Sequence, residues 1–373
     1  MLRKNCVICN ETKLINIFNL INTINIVEIN EFNDSEIFDL NFIGCTNCGC
    51  VQLSNLFEQD KIYEQPLHYT ESNVFKKHDQ LLSEFIVNNL IYKNDLLEIG
   101  GSYGKLAKLI IEKYKLTDIN LNYKILEISK ENYPDIENIK YINGNCETFD
   151  FSNTNSIIMS HVFEHLYEPR KFIRNIYKHN VKEIIISIPD MDNLTKDKDI
   201  NNLNIQHTFY INTPFLKYLF NEFNYNLKNI YNYNNNSIFY HFVKNDNILN
   251  NEILKDFRNT DLLYTLNIFY KELKNKIKDI NINNNFYICP SGFYGKIIYY
   301  YLNNETKKNV LGFLDSDNFK INKRLSGTKC FIFKKEIIKD YDNITVLIIA
   351  EKYKNEIKEE LLSYNNKISF IYL

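Results

Sequence analysis

The sequence predicts an α/β chain whose middle carries a doubly wound, mostly parallel sheet. Three observations point there. An apolar strand end, Asp95-Leu-Leu-Glu-Ile99, runs directly into a turn punctuated by glycine, Gly100-Gly-Ser-Tyr-Gly104, and then into the helical pattern Lys105 to Tyr114. Strand and helix patterns alternate from residue 93 to about 245, the signature of stacked strand–helix–strand units. A second strand–glycine-turn–helix unit, Phe286-Tyr-Ile-Cys-Pro-Ser-Gly-Phe-Tyr-Gly-Lys296, opens near the carboxyl end.

With 373 residues the chain has room for two or three domains. Hydrophobic residues make up 45% and charged residues 24%, so a sizeable core is available. A net charge of −2 disfavours a nucleic-acid binder held by phosphate contacts. No apolar run approaches the length of a membrane span, and Met1-Leu-Arg-Lys-Asn-Cys6 leads into no apolar secretory segment. Both point to a cytoplasmic protein. The heavy use of Asn, Ile, Lys and Tyr reads as genome composition rather than as a fold signal.

Taken in order, residues 1–66 contain two C-x-x-C pairs, Cys6/Cys9 and Cys45/Cys48. Four thiolates so arranged can enclose one tetrahedral Zn²⁺. The long interval between the pairs requires a small β-rich insertion. Cys50 is a substitute ligand for Cys48 with a poorer spacing. A cluster of reduced, buried thiols is the alternative. A site closed by four protein ligands serves structure rather than catalysis. Cys146, Cys289 and Cys330 stand alone and read as core thiols.

Residues 67–245 form the second segment. An amphipathic helix is expected from about Val74 to Leu90, capped by Ser72 or Asn73. Before it, His68, Tyr69, Thr70 and Ser72 form a polar, aromatic stretch that also reads as a plain surface loop. Strands are expected at 95–99, 122–127, 139–142, 155–160 and 182–188, with two more within 227–243. Ligands of such sheets lie at the carboxyl ends of the strands. Glycines at Gly100 and Gly104 let a ligand approach the backbone, and the helix start offers free N–H groups. Glu127 ends the second strand, where a carboxylate accepts hydrogen bonds from ribose hydroxyls. Thr213, followed by Pro214, reads as the N-cap of a later helix, which leaves His207 in the loop ahead of it.

Residues 246–373 form the third segment. A long amphipathic helix is expected from Asn250 to Lys278, able to bridge two domains. The turn Gly292-Phe-Tyr-Gly295-Lys296 is not a P-loop, because its spacing is too short and no Ser or Thr follows. A glycine turn at a helix start can still hold phosphate. Gly292, Tyr294, Gly295 and Lys296, with Lys320 and Lys323 from the following basic loop, are therefore candidates for binding the substrate's diphosphate. A solvated basic loop is the other reading.

The pattern Glu98-x-Gly100-x-Ser102-x-Gly104 resembles motif I of the class I S-adenosylmethionine (SAM)-dependent methyltransferases. Asn155 to Pro169, with Ser160, His161 and the run Glu164-His165-Leu166, resembles that family's fourth-strand segment. The resemblance implies a Rossmann-like SAM domain. Glu98, Gly100, Ser102, Gly104 and Glu127 would hold the cofactor, Asn145 and Cys146 would meet the adenine, and Ser160 and His161 would flank the methyl donor.

The order of parts resembles, over nearly the whole chain, the nucleotide-sugar C-methyltransferases that act on 4-keto-deoxysugars. These have a zinc-binding module, a SAM domain and a Rossmann-like carboxyl-terminal domain that anchors the nucleotide sugar. Asp315, Lys320 and Gly327 match the family's carboxyl-terminal segment, whose middle glycine is missing here. The resemblance implies a cytoplasmic transferase (EC 2.1.1.-) of polysaccharide biosynthesis, using SAM and a structural zinc. His207 would remove the proton next to a ketone, and Tyr69, His165 and Tyr210 would donate hydrogen bonds to the enolate oxygen. The family's Tyr-x-Glu-His reads Asn204-Ile-Gln206-His207 here, so only the histidine remains. An O- or N-methyltransferase acting on a glycan or sugar precursor is the first alternative, and a non-catalytic zinc-ribbon binding protein the second. The sugar, the methylated atom and the oligomeric state, a monomer included, stay open.

Overall fold

The structure is a computed structural model that describes residues 2–24, 29–30, 37–63, 73–115, 121–130, 133–196, 205–234, 236–245, 257–318, 320–325, 328–350 and 353–373. It divides into two compact units. The first takes Met1–Ile15, Ile43–Asp199 and Ile205–Tyr264, and the second gathers Asn16–Phe42 and Thr265–Leu373. This division differs from three successive segments. The cysteine pairs share a unit with the central sheet, whereas most of the insertion between them counts with the second. Hydrogen bonding explains the fusion: strand Val51–Leu53 is tied to the loop after His207 through Leu53 N–H to the Thr208 carbonyl (2.9 Å) and Tyr210 N–H to the Val51 carbonyl (2.8 Å). The insertion is β-rich as expected, with strands Leu14–Ile24 and Ile37–Cys45.

The first unit is built on seven strands: β1 (Leu96–Ile99), β2 (Tyr123–Glu127), β3 (Ile139–Asn143), β4 (Ser156–Ser160), β5 (Glu183–Pro189), β6 (Tyr225–Tyr233) and β7 (Ser237–Lys244). Their spatial order is β6-β7-β5-β4-β1-β2-β3. Strands β1 to β5 are parallel, and β7 enters antiparallel between β5 and β6. Every residue of β1 and β5 is buried, which accounts for their largely apolar make-up, with Glu98, Glu183 and Ser187 as the buried polar exceptions. A strand covered on both faces cannot alternate with polar residues.

Helices α1 (Asn73–Asn89) and α2 (Lys105–Lys115) cover one face. Leu82 and Ile86 of α1 pack with Leu106, Ala107, Ile110, Ile111 and Tyr114 of α2. This is the helical spacing that turns one stripe toward the sheet.

Two helix starts differ from the sequence expectation, for one reason. The N-cap of Thr213–Asn221 is Asn212, whose side chain accepts from Phe215 N–H, while Thr213 Oγ1 pairs with the Tyr240 hydroxyl at 2.7 Å. The last long helix runs Thr260–Asp279, with Asn259 Oδ1 accepting from Leu262 N–H at 3.2 Å. In each case an Asn just upstream supplies the side-chain oxygen that ends the helix. Part of the expected start, 250–256, lies outside the described residues.

The second unit carries a parallel sheet of β8 (Phe286–Cys289), β9 (Val310–Asp315), β10 (Ile332–Lys334), β11 (Ile344–Ile348) and β12 (Ile368–Tyr372), ordered β10-β9-β8-β11-β12. Among the described residues no helix is long and apolar enough to cross a membrane.

A buried ion pair fastens β7 to β5. His241 Nε2 lies 2.7 Å from Glu183 Oε2, and both side chains are fully buried. Glu183 also accepts from Ile91 N–H, Tyr92 N–H and the Ser156 hydroxyl. His241→Ala leaves this carboxylate buried without its imidazole partner and is expected to cost roughly 1–3 kcal/mol in urea denaturation. A loss below about 1 kcal/mol would mean that the neutral donors alone satisfy Glu183.

Candidate functional site

Strand order in the first unit reverses between β1 and β4, and such a switch point opens a crevice beyond the strands' carboxyl ends. A pocket open to solvent lies in that place. Gly100 and Ser102 line it from the β1 turn, Glu127, Ile128 and Ser129 from the end of β2, Gly144, Asn145 and Cys146 from the end of β3, and His161, Val162 and His165 from the end of β4.

The turn's backbone dictates its residues. Gly100 sits at φ +73°, and a Cβ there would come within 2.5 Å of Val162 Cγ2. Only glycine satisfies both conditions. Ser102 (φ 46°) and His161 (φ 52°) also hold left-handed conformations, which concentrate at functional sites. The Ser102 N–H donates to Glu127 Oε1, so Glu127 fixes the turn as well as facing the pocket. Burial pushes the Glu127 carboxyl upward, against the hydrogen bonds from Ser102 and Ile128 N–H that favour its charge.

Of the residues expected to hold cofactor, Gly100, Ser102, Glu127, Asn145, Cys146 and His161 line the pocket, whereas Glu98, Gly104 and Ser160 do not. Glu98 lies beneath the turn, buried, accepting from the Tyr123 hydroxyl at 2.8 Å. Burial raises its carboxyl to about 8, so it is mostly uncharged at neutral pH. Gly104 (φ +70°) lets the turn pass Tyr141 and Ile136. The Asn145 side chain is occupied with its own loop: Nδ2 donates to Gln59 Oε1 (2.7 Å), and Oδ1 accepts from Glu147 N–H (2.9 Å). Burial, followed by the nearby Glu147, pushes the Cys146 thiol well up, so it lines the wall as a neutral group.

The residues expected to act on substrate divide. His165 lines the pocket, with Tyr63 hydroxyl 3.2 Å from its Nδ1. Burial drives His165 down to about 3, so it stays neutral. His207 packs against it, ring centroids 5.2 Å apart, without being among the pocket's lining residues. Tyr210 does not reach the pocket: it is 2% exposed and sits on the segment paired with Val51, because that backbone pairing turns it into the core. Tyr69 lies outside the described residues.

One acidic residue was given no role of its own by the sequence. Glu164 is 2% exposed, and its carboxylate oxygens have no hydrogen-bond partner among the described residues. His161 Nδ1 stands 3.4 Å from Oε1. Glu164, His165 and His207 each bring a donor atom within 4.8 Å of the others. Burial opposes the charge on Glu164, but His161, His165 and His207 outweigh it and hold the carboxyl at about 2. Gln59 and Tyr63 were also missed. Nothing in their sequence setting marks them, since the chain segment before α1 reaches the pocket only through tertiary packing.

The cysteine pairs also meet. Cys6 Sγ lies 3.5 Å from Cys48 Sγ, and Cys9 Sγ lies 3.5 Å from Cys45 Sγ. All four sulfurs fall within 4.8 Å of one another. Four Zn–S bonds of about 2.3 Å would set tetrahedral sulfurs about 3.8 Å apart, so the set fits a metal of that kind. Cys50 turns away, its thiol toward the Val51 and Tyr210 carbonyls.

In the second unit, Gly292 (φ +129°) stands at the start of helix Phe293–Tyr301, past the carboxyl end of β8 and at the switch point between β8 and β11. A Cβ on Gly295 would lie 3.1 Å from the Phe313 ring, and Tyr294 is half-buried beside it. Lys296 is only 7% exposed. Lys320 Nζ lies 3.6 Å from Asp315 Oδ2, which also accepts from the Ser291 hydroxyl. Lys323 follows on the same loop, its carbonyl bonded to Ile332 N–H.

Comparison with known proteins bears on the first unit. Residues 97–182 match the family model described as a methyltransferase domain. The match spans β1 to the start of β5, the parallel, Rossmann-like part of this sheet. No curated protein matches the sequence. Solved structures with similarity include a Pyrococcus horikoshii protein (12% identity, 51% of this chain and 100% of that one, TM-score 0.39). Another is the 1,6-didemethyltoxoflavin-N1-methyltransferase of Burkholderia thailandensis with bound S-adenosylhomocysteine (10%, 47% and 82%, 0.36). A third is a SAM-dependent methyltransferase from Aquifex aeolicus (14%, 47% and 98%, 0.35).

Glu127→Ala is expected to weaken SAM binding by about 1–3 kcal/mol, the range for a hydrogen bond to a charged group. Calorimetry with SAM or S-adenosylhomocysteine measures it, and unchanged affinity removes Glu127 from the cofactor's contacts.

Proposed function

We propose that the methyltransferase domain alkylates the carbon beside a ketone in a nucleotide-linked deoxysugar. The observation that carries this reading is the imidazole pair His165–His207 at the cofactor pocket. A neutral imidazole is the side chain suited to removing a weakly acidic proton near pH 7. His207 takes the proton from the carbon next to the ketone. The C–H electron pair becomes an enolate, which attacks the methyl group in line and releases the thioether. His165, kept neutral by burial, donates a hydrogen bond to the enolate oxygen. His207 then returns its proton to water. Bound SAM supplies the electrophilic methyl group, and Gly100, Ser102 and Glu127 would hold it. The glycine turn at Gly292, with Lys320, would take the nucleotide's diphosphate in the second unit. Four cysteines, Cys6, Cys9, Cys45 and Cys48, would bind one structural zinc.

O- or N-methylation is the second reading. It is favoured by Gln206, which stands where the resembled sugar C-methyltransferases carry a glutamate.

Isotope exchange separates the two. With S-adenosylhomocysteine bound, a nucleoside-diphosphate 4-keto-6-deoxyhexose in D₂O should exchange its proton beside the ketone. His207→Asn should slow exchange and methylation by at least about 10²-fold while SAM affinity holds. Methyl transfer to a hydroxyl or amine without exchange would favour the second reading. For the metal, elemental analysis should give one zinc per chain, and Cys45→Ser should lower both zinc content and melting temperature. Zinc-free, fully stable protein would remove the metal from the proposal.

A further inference from the structure

Glu164 is a buried anion with no hydrogen-bond donor satisfying it. Its two oxygens are inaccessible and lack hydrogen-bond partners among the described residues, yet three imidazoles lie beside it: His161 at 3.4 Å, and His165 and His207 within 4.8 Å. A buried charge without a counter-charge is strongly disfavoured. Neither segment carries a lysine or arginine of its own, reading Ser160-His-Val-Phe-Glu-His-Leu-Tyr-Glu168 on one side and Gln206-His-Thr208 on the other, and the nearby Arg3 guanidinium is taken up by the Leu166, Tyr167 and Thr208 oxygens. What the two segments give is imidazoles, which are cationic only when they carry a second proton.

Backbone geometry fixes the arrangement. Glu164 and His165 share the 3₁₀ turn Phe163–His165, and Thr208 N–H donates to the Glu164 carbonyl at 3.0 Å. The residue after His207 is thereby tied to the residue bearing the carboxylate. His161 is held on the other side by Ser237 Oγ, 3.2 Å from its Nε2. His78, in turn, lies with its ring 5.0 Å from that of His161, its Nδ1 on Asp79 and its Nε2 on Ser187 Oγ.

We infer that Glu164 is a positioning residue: it is the fixed counter-anion for the positive charge that His207 gains when it takes the acceptor's proton. This inference rests on the reading of His207 as the base. Before the reaction the carboxylate already stands beside the three rings. When the C–H bond breaks, the proton moves to His207 and the electron pair stays on the acceptor. The imidazolium so formed then lies beside an anion already in place, with no side chain or solvent to reorganise.

The test needs no sugar substrate. The zinc-loaded full chain, with ¹³C-labelled histidine rings and S-adenosylhomocysteine bound, is titrated by NMR as wild type, Glu164→Gln and Glu164→Asp. An opposite charge within a few ångströms favours the charged ring. At least one of His161, His165 and His207 should therefore bind its proton about tenfold more weakly in Glu164→Gln, and Glu164→Asp should restore most of the affinity. His78, Asp79 and Tyr63 face the same cluster and are unchanged in all three proteins. Identical titrations of the three rings in wild type and a folded, cofactor-binding Glu164→Gln overturn the inference. Should Glu164→Gln fail to fold, the wild-type Glu164 carboxyl resonance decides: an ionised signal at pH 6–7 supports the inference and a protonated one overturns it. A second equivalent of divalent metal, beyond the zinc and lost in Glu164→Asp, also overturns it, because the metal is then the counter-charge. Failure of the isotope-exchange experiment with these titrations intact would discard the ketone acceptor and keep the Glu164–imidazole pairing.

Discussion

The geometry of the candidate site hangs on one guanidinium. Arg3 is buried and donates to the Leu166 and Tyr167 carbonyls and to both the carbonyl and the hydroxyl of Thr208. The first two acceptors directly follow the turn that carries Glu164 and His165. The third directly follows His207. A single planar cation with several donors can clasp two chain segments where a lysine, a point charge, cannot hold the same fork. Thr208 adds its own hydroxyl bond to Leu166. Burial lowers the Arg3 guanidinium only to about 10, so it remains charged at neutral pH. Two imidazoles distant in sequence are in this way held side by side by a residue in neither segment.

Local signals were legible wherever chemistry is local. The glycine turn, Glu127 at the end of β2 and the paired cysteines could be read because each motif lies within one short stretch. The strands could be read because β1 and β5 are buried on both faces, which leaves them mostly apolar. Boundaries were less legible. Asn212 and Thr213 are both competent caps, and only the partner waiting for Thr213, the Tyr240 hydroxyl, decides between them. Gln59, Tyr63 and Glu164 were invisible for a stronger reason: their roles come from tertiary neighbours, and nothing in a polar loop or a Phe-Glu-His turn announces which other segment will face it. Tyr210 shows the converse, a phenol that suits the site by sequence position but is drawn into the core by its backbone pairing with Val51.

The two glycine turns use one device with different results. In both, a parallel strand ends, a glycine adopts a left-handed backbone and a helix begins, at the point where strand order reverses. In the first unit the acidic residue of the neighbouring strand, Glu127, fastens to the turn's own backbone and leaves an open pocket beside it. In the second, Asp315 is engaged by Ser291 and Lys320. The strand–turn–helix scaffold thus sets where a ligand can lie, and the side chains beside it set which ligand that is.

The clasp made by Arg3 has a consequence for how the chain comes off the ribosome. Cys6 finds Cys48 after 42 residues, so the thiol cluster can assemble early in synthesis. Arg3 must wait for Thr208, 205 residues downstream, roughly 10–40 s at common elongation rates. Arg3 therefore emerges well before the segment it clasps. During that interval the guanidinium has none of its native acceptors. A metal gripping the nearby cysteines would hold this end compact until its partners arrive.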